Sequence, residues 1–408
     1  MYVKRDIEKK LFLWLENKEI LAIIGPRQCG KTTLLKRIQE VLFEKHKEGC
    51  VHYISFEDEL ERITFEKDPQ TYIASYINSE EKHFFLLDEV QYVKNAGKIL
   101  KLLFDNNDAI KFIITGSSTL DLNQIGSFLV GRVLFFSLAP FSFSEFLSIQ
   151  DKRMHVYYET QKISLQKPHL VDTLFLAKLN KHLEEYITFG GYPAVVVEKS
   201  REKKIILLKN LFTTYIEKDI IGLYGIRYKD KIISCIKYLA SILGSILRYE
   251  EVCQVSGLYH KEAKEILSIL ENTFVIQLVK PFHKNLVTEL KKNPKVYFID
   301  SGLRNITINR FAFTDDEYGH LLENYVSSLV KDARFWRTKA KAEVDFIGED
   351  MVAIEVKSTP KITPSLLSYI ASYNSKQAFI LTKDAVEKRK VGIVEIYILP
   401  ISLIQTQN

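Results

Sequence analysis

Residues 25–32 read Gly-Pro-Arg-Gln-Cys-Gly-Lys-Thr, the complete pattern in which two glycines, with four residues between them, precede lysine and a hydroxyl residue. An apolar run at 20–24 comes before it and an apolar pair at 34–35 follows, so a strand, a loop and a helix are predicted in the order that a phosphate-binding loop requires. The glycines let the backbone wrap around phosphate oxygens, and the first amides of the helix point at the anion. Lys31 is predicted to reach the β- and γ-phosphates of ATP, and Thr32 to bind Mg2+. A chance match to a Gly-rich turn is the alternative, and the order of elements argues against it. The residues expected at the nucleotide are Gly25, Arg27, Gln28, Cys29, Gly30, Lys31, Thr32 and Thr33.

An acidic pair, Asp88 and Glu89, ends the apolar run 84–87. The carboxyl ends of parallel strands form the ligand edge of an open α/β sheet, so both carboxylates are expected beside the phosphate loop. Asp88 would hold the magnesium coordination shell, and Glu89 would orient and deprotonate the water that attacks the γ-phosphate. The alternative is a strand that runs into an acidic surface turn. Glu89 favours hydrolysis over kinase chemistry.

Two further segments offer polar side chains to such a site. Residues 112–118 form an apolar run that ends in hydroxyls, and Thr115 or Ser117 could hydrogen-bond the attacking water or the γ-phosphate. Hydroxyls after a strand are more often ordinary turn residues. Arg132 could neutralise transition-state charge on the nucleotide of a neighbouring subunit, which would require oligomers, or it could form a surface salt bridge. Both interpretations of Arg132 stay open.

Composition indicates a folded chain of several domains. Hydrophobic residues make up 46% of the 408 residues and charged residues 26%, which excludes disordered, collagen-like and disulfide-scaffold proteins. The net charge of +6, from 57 basic and 51 acidic residues, is too small to indicate nucleic-acid binding by itself. The four cysteines form no Cys-x-x-Cys pair, and no stretch reaches the ~20 apolar residues of a membrane helix. We therefore expect a cytoplasmic protein without a membrane segment.

The first 150 residues alternate apolar runs with amphipathic segments, which predicts a parallel α/β sheet. Farther along, residues 232–243, 249–255 and 261–270 are predicted as three helices, and the apolar runs 274–279 and 286–290 as a hairpin, an order typical of a winged helix. In that fold the helix near His260 would enter a DNA groove with Lys261 and Lys264 at phosphates, whereas Glu262 and Glu265 argue against DNA contact. Many winged helices are instead protein-interaction or packing modules. The strands predicted for the first sheet are 20–24, 51–56, 84–87, 110–115 and 132–138.

A second hairpin, 343–347 and 352–357 around a polar turn, concentrates charge near the C-terminal end. Asp345 and Glu355 are equidistant from Asp350 and are predicted to lie opposite each other, with Lys357 on the same face as Glu355. Opposed carboxylates repel unless a cation bridges them or one of them is protonated, and a Mg2+ site compensated by Lys357 is the simplest account. Charges that merely alternate on a wet strand face are the alternative.

Taken together, these motifs resemble prokaryotic AAA-type ATPases that carry a C-terminal domain of unknown function. The resemblance rests on the 25–32 loop, on 53–58, 87–91, 115–118 and 131–132, and downstream on 189–193, 215–220 and 297–303. The hairpin also resembles the PD-(D/E)xK nuclease core, in which Glu323, Asp345 and Glu355 would bind metal and Lys357 would position the attacking water. A helix at 365–373 and a strand at 377–381 continue that order of elements. The expected domains are an ATPase core at 1–150, a helical linker or lid at 151–225, a winged helix at 226–290 and a nuclease-like domain at 291–408.

Two functions follow from this organisation. ATP turnover either drives the binding or processing of DNA or another nucleic acid by the C-terminal domain, or it gates a switch or scaffold whose nuclease-like domain is catalytically silent and recognises partners. A P-loop kinase is a distant third possibility, because no acceptor-binding motif is recognisable.

Overall fold

The computed structural model describes residues 2–116, 125–222, 228–283, 289, 292–373 and 375–406. The chain forms two compact units. Unit 1 comprises Met1–Glu145 with Asn272–Phe274, and unit 2 comprises Phe146–Glu271 with Val275–Asn408. Within the described ranges, no helix has both the length and the apolar character that crossing a membrane requires. The finer division of unit 2 into lid, winged helix and nuclease-like domain stays a prediction.

Unit 1 is built on five parallel strands in the order β2-β3-β4-β1-β5. The strands are β1 (Ile20–Ile24), β2 (Val51–Ser55), β3 (His83–Asp88), β4 (Ile110–Gly116) and β5 (Val133–Ser137). All five strands predicted from the apolar runs are confirmed. The helices of this unit are α1 (Glu8–Phe12), α2 (Lys31–Phe43), α3 (Glu59–Lys67), α4 (Pro69–Ala74) and α5 (Ala96–Asn106).

The core of unit 1 explains why its strands read as unbroken apolar runs. Every residue of β1 is buried, and alternate residues enter different clusters: Ile20 and Ala22 pack into one, Leu21 and Ile23 into the other. A sheet covered on both faces places successive side chains in two cores, so both must be apolar. This arrangement leaves the strand ends as the place for polar chemistry.

Unit 2 begins with helices and ends in a mixed eight-stranded sheet of order β12-β13-β11-β10-β9-β8-β6-β7. Helices at Lys229–Ser241, Tyr249–Ser256 and His260–Asn272 confirm the three helices predicted between 232 and 270. The helices are α6 (Phe143–Gln150, beginning in unit 1), α7 (Lys152–Gln161), α8 (Leu176–Phe189), α9 (Pro193–Val197), α10 (Arg201–Thr214), α11 (Lys229–Ser241), α12 (Tyr249–Ser256), α13 (His260–Asn272), α14 (Ser301–Thr307), α15 (Asp315–Leu329) and α16 (Pro364–Tyr373). The strands are β6 (Ile276–Pro281), β7 (Lys295–Phe298), β8 (Arg334–Arg337), β9 (Glu343–Ile347), β10 (Ala353–Val356), β11 (Gln377–Thr382), β12 (Glu387–Val391) and β13 (Val394–Pro400).

The predicted hairpin of 274–279 with 286–290 is corrected by the strand pairing. Strand β6 pairs antiparallel with β7, from Ile276 opposite Phe298 to Val279 opposite Lys295, and it continues parallel to β8. Most of 286–290 lies outside the described residues. The reason is burial: every residue of β7 is buried, so this strand needs a covered position in the large sheet rather than an exposed wing. The strand assigned to the wing therefore belongs to the C-terminal sheet.

Candidate functional site

The phosphate loop runs from the end of β1 to the first residue of α2, and two of its positions admit only glycine. A Cβ on Gly25 would lie 2.1 Å from the carbonyl oxygen of Leu138, and Gly30 has φ 101°, in the left-handed region. Lys31 is buried, and its Nζ donates hydrogen bonds to the carbonyl oxygens of Gly25 and Pro26, both at 3.0 Å. The lysine is therefore folded back over the loop that is predicted to bind phosphate.

Asp88, at the end of β3, lies beside this loop and is surrounded by hydroxyl groups. Its Oδ2 accepts hydrogen bonds from Thr32 Oγ1 at 2.7 Å and from the Tyr53 hydroxyl at 2.8 Å, and its Oδ1 accepts one from Thr115 Oγ1. The structure thus brings together Thr32 and Asp88, the two side chains predicted to bind Mg2+. A hydroxyl oxygen and a carboxylate are ligands that Mg2+ prefers, so these residues fit the ion. Tyr53 was missed from the sequence because a tyrosine in a strand is read as packing.

Glu89 follows in a backbone conformation that non-glycine residues seldom adopt, with φ 56° and ψ 47°. Its amide nitrogen donates to Thr115 Oγ1 at 2.9 Å, and its carboxylate accepts a hydrogen bond from the side chain of Gln91. Thr115 therefore bridges both acidic residues through one hydroxyl. This holds the acidic pair in place and differs from the predicted contact of Thr115 with water or phosphate. Ser117 lies outside the described residues.

The other loop residues predicted at the nucleotide differ in what they can offer. The thiol of Cys29 is fully buried, so only the backbone of this residue can face a ligand. Gln28 and Thr33 are exposed, and Arg27 donates to the Tyr92 hydroxyl at 3.0 Å.

Arg5 contacts the phosphate loop, and no sequence pattern pointed to it. Its buried guanidinium donates to the carbonyl oxygens of Cys29 at 2.9 Å and Ala139 at 2.6 Å, and pairs with Glu145 at 3.0 Å. A buried guanidinium that satisfies several carbonyls fixes the loops that carry them. Arg5 therefore ties the phosphate loop to the chain that follows β5.

Arg132 lies at the opposite edge of the sheet. Its carbonyl oxygen accepts from the amide of Ile20, the first residue of β1, whereas the phosphate loop follows the last residue of β1. Five residues of strand span about 17 Å. The guanidinium of Arg132 makes two hydrogen bonds to Asp105, at 2.7 and 3.2 Å. The fold therefore does not bring Arg132 to the nucleotide site of its own chain, and its action on a neighbouring subunit stays a prediction.

A second set of charged side chains lies in unit 2, around the hairpin of β9 and β10. The register pairs Ile347 with Ala353 and Phe346 with Ile354, and its next step places Asp345 opposite Glu355. Asp345 Oδ2 accepts from Lys357 Nζ at 3.0 Å. Glu355 accepts from Thr363 Oγ1, at 2.8 and 3.0 Å to its two oxygens. Burial raises the pKa of Glu355 to about 7.

Glu323, the remaining acid of the predicted metal set, is held by a lysine from β7. Its Oε1 accepts from Lys295 Nζ at 3.0 Å and from the Tyr297 hydroxyl, and Lys295 also pairs with Glu343 at 2.6 Å. Burial lowers the pKa of Lys295, but the carboxylates of Glu323, Asp345 and Glu343 raise it to above its ordinary value. The Lys295 side chain is therefore a charged ammonium group surrounded by acidic side chains.

This arrangement does not fit the predicted metal set. Over the ranges that the structure describes, no group of three or more His, Cys, Asp or Glu residues is arranged to hold a metal ion. Glu323, Asp345 and Glu355 are each bound to a different protein donor. Lys295 was missed because a lysine beside a short apolar run carries no signal of its own.

Comparison with known families divides the chain into three matched segments. An AAA domain family (AAA_14) matches residues 17–147, and two domains of unknown function, DUF8612 and DUF4143, match residues 180–314 and 318–404. The first match confirms the predicted AAA-type P-loop domain. The other two carry no description of function, so the nuclease-like character of the C-terminal part stays a prediction.

Relatives match over most of the chain. An uncharacterized protein of Haemophilus influenzae is 26% identical over 422 residues, covering 98% of both chains. The uncharacterized protein MJ1544 of Methanocaldococcus jannaschii is 30% identical over 375 residues, which are 87% of this chain and 77% of that protein.

Two solved structures were also matched. The Aeropyrum pernix ORC1 protein in complex with DNA gives a TM-score of 0.32 at 10% identity, covering 77% of this chain and 93% of that one. Replication initiator DnaA bound to AMPPCP and single-stranded DNA gives 0.33 at 13% identity, covering 66% and 90%. Both TM-scores are below 0.5, so neither likeness bears on function.

Proposed function

The chain belongs to the same protein family as MJ1544 of Methanocaldococcus jannaschii, and on the geometry of its AAA domain we propose that it binds ATP with Mg2+ and hydrolyses ATP to ADP and phosphate. One observation supports this proposal above the others. Asp88 is hydrogen-bonded to Thr32 at the start of the phosphate-loop helix and to Thr115 at the end of β4. The first turn of the phosphate-loop helix and the ends of β3 and β4 thus meet at one carboxylate, which supports a site for a nucleotide and Mg2+.

When ATP binds, Lys31 would give up its hydrogen bonds to two carbonyl oxygens and donate to phosphate oxygens instead. Its present bonds to Gly25 and Pro26 satisfy a buried ammonium, and an incoming phosphate offers the same ammonium a charged acceptor, which binds it more strongly. Thr32 and Asp88 would hold Mg2+, which neutralises charge on the phosphates. Glu89 would accept a proton from the attacking water, and the hydrogen bond that its backbone N–H donates to Thr115 Oγ1 fixes the backbone that presents the carboxylate.

The test is steady-state phosphate release by the full chain, measured for wild type and Glu89→Gln together with nucleotide binding. Removing a general base lowers turnover about 10²- to 10⁴-fold, while ATP binding is expected to stay intact. Glu48→Gln, an exposed residue before β2, is the matched control and should behave like wild type. Wild-type protein that binds ATP without releasing phosphate, or a Glu89→Gln variant as fast as wild type, would contradict the proposal.

Coupling of this turnover to DNA or another nucleic acid is a second candidate. The pairing of Lys357 with Asp345, opposite Glu355, supports it, because these are the side chains that a nuclease-like site uses. The competing function, an ATP-gated switch or scaffold with a silent recognition domain, is supported by the bonding of Glu323 to Lys295.

Phosphate release with and without DNA, with gels run on the same samples, separates the two functions. Stimulation by DNA together with nicking that Asp345→Ala abolishes supports nucleic-acid processing. Turnover that is indifferent to DNA, with the DNA left intact, supports the switch and directs the search to protein partners of α11–α13.

A further inference from the structure

The acid cluster of unit 2, which we define as Glu323, Glu343, Asp345 and Glu355, contains a lysine at its centre. The Lys295 side chain is only 4% exposed, and its Nζ lies 3.0 Å from Glu323 Oε1 and 2.6 Å from Glu343 Oε1. The two glutamates come from α15 and from the start of β9, and the lysine comes from β7. One ammonium ion therefore joins three separate elements of the fold.

The bonding of Glu323 leaves its inner oxygen committed to this strand. The same Oε1 accepts from Lys295 and from the Tyr297 hydroxyl, two residues farther along β7 on the same face. An oxygen with two strong donors in place has no lone pair left for a metal ion unless one donor leaves. At this oxygen, strand β7 thus supplies an ammonium and a hydroxyl where a metal ion would need a free lone pair.

The charges of the acid cluster are compensated by neighbouring basic side chains. Lys295 pairs with two of its carboxylates, Lys357 pairs with Asp345 at 3.0 Å, and Arg337 pairs with Glu343 at 3.2 Å. Three cations therefore face four carboxylates. Buried carboxylates need such partners, whether the cation is a metal ion or a protein side chain.

We propose that the Lys295 ammonium takes the position of a divalent cation in the acid cluster, so that the C-terminal domain of this chain is a metal-independent module. Removing the ammonium while keeping the carboxylates should then create a divalent-cation site that the natural protein lacks. The proposal concerns unit 2 alone and does not depend on ATP hydrolysis by unit 1.

The experiment is calorimetric titration of nucleotide-free full-length protein with MnCl2. Wild type is expected to bind no Mn2+ at the acid cluster, so the Asp345→Asn substitution should leave its Mn2+ titration unchanged. Lys295→Met is expected to bind one additional Mn2+ per chain, and the double variant Lys295→Met/Asp345→Asn to lose it. Lys295→Arg keeps the positive charge and is the matched control, expected to titrate like wild type.

Either of two titration results would overturn the proposal: Mn2+ binding by wild type that Asp345→Asn abolishes, or Lys295→Met that binds no more Mn2+ than wild type. Lys295→Met alone removes the ammonium that pairs with Glu323 and Glu343 and so is prone to unfold. For that case Lys295→Met/Glu323→Gln removes both charges, and thermal unfolding should show the double variant to be more stable than the single one. A double variant no more stable than Lys295→Met would also overturn the proposal.

Discussion

Asp88 in unit 1 is a buried carboxylate at the end of a strand and Glu323 in unit 2 is a half-buried carboxylate on a helix, and their surroundings suit them to different partners. Asp88 is bonded to the hydroxyls of Thr32, Tyr53 and Thr115, which orient it without changing its charge. Glu323 is bonded to the ammonium of Lys295, which cancels its charge. A carboxylate held by hydroxyls still attracts an incoming cation, whereas one paired with lysine does not.

The comparison shows that the residue types in a motif do not determine its ligand. Both sites combine acids with lysine near strand ends. In unit 1 the nearby lysine, Lys31, bonds to the backbone carbonyl oxygens of Gly25 and Pro26 rather than to the acid. In unit 2 the lysines bond to the acids themselves.

The largest expected effect tests whether Asp88 needs its charge. Asp88→Asn keeps an oxygen for the hydroxyl donors but removes the negative charge, so ATP turnover with Mg2+ should fall about 10²- to 10³-fold, the usual loss when an electrostatic group at a reacting phosphate is removed. Phosphate release is the measurement, and Asp350→Asn, in the exposed turn of the β9–β10 hairpin, is the control. Turnover within a few-fold of wild type would show that the site does not need the negative charge of Asp88.

Asp300 adds a third kind of environment to the comparison, because backbone amides hold this buried carboxylate. It accepts from the amides of Gly191 at 2.7 Å and Leu303 at 2.8 Å, and burial outweighs these bonds, raising its pKa from 3.8 to about 6. The folded state therefore binds a proton more tightly than the unfolded state. The associated stability is fully present below about pH 4 and is lost as pH rises through about 6, a change of about 3 kcal/mol.

Urea unfolding of wild type and Asp300→Asn between pH 4 and pH 7 measures this effect. Asn has no carboxyl proton to lose, so the difference in unfolding free energy between the two proteins should change across that interval and level off above it. A difference independent of pH would show that Asp300 has the same pKa in both states.

The smallest effect concerns the hydroxyls around Asp88. Tyr53→Phe removes one of three donors, and a hydrogen bond to a charged group contributes about 1.5 kcal/mol, so phosphate release at saturating ATP should fall about tenfold. Tyr76→Phe removes a hydroxyl that contacts the hydroxyl of Tyr72, and it should leave turnover unchanged. Equal effects of the two substitutions would mean that the Tyr53 hydroxyl orients nothing at the site.

Much of the fold was predictable from local patterns. The five apolar runs of unit 1 became strands because a parallel sheet covered on both faces needs such runs, and the β9–β10 hairpin followed from a polar turn between two alternating segments. The pairing of β6 was not predictable. Its partner β7 and its neighbour β8 are joined to it by separate stretches of chain, and their choice depends on the whole sheet.

The glycine motif near residue 190 shows how distant segments explain one another. A Cβ on Gly190 would lie 2.2 Å from Asp300 Oδ1. The segments around Gly190 and Asp300, which are far apart in the sequence, therefore pack directly against each other in the fold. Neither motif alone reveals this contact, since more than a hundred residues lie between them.

The phosphate loop, the acidic pair and the strands that carry them could be predicted from the amino-acid sequence, because these features depend on residues adjacent in the chain. The neighbours of each charged group became visible only in the fold: Arg5 against the phosphate loop, Tyr53 on Asp88, Arg132 at the far edge of the sheet, and Lys295 inside the acid cluster. The electrostatic character of a buried group depends on its nearest neighbours in space, and the fold brings these neighbours together from distant positions in the chain.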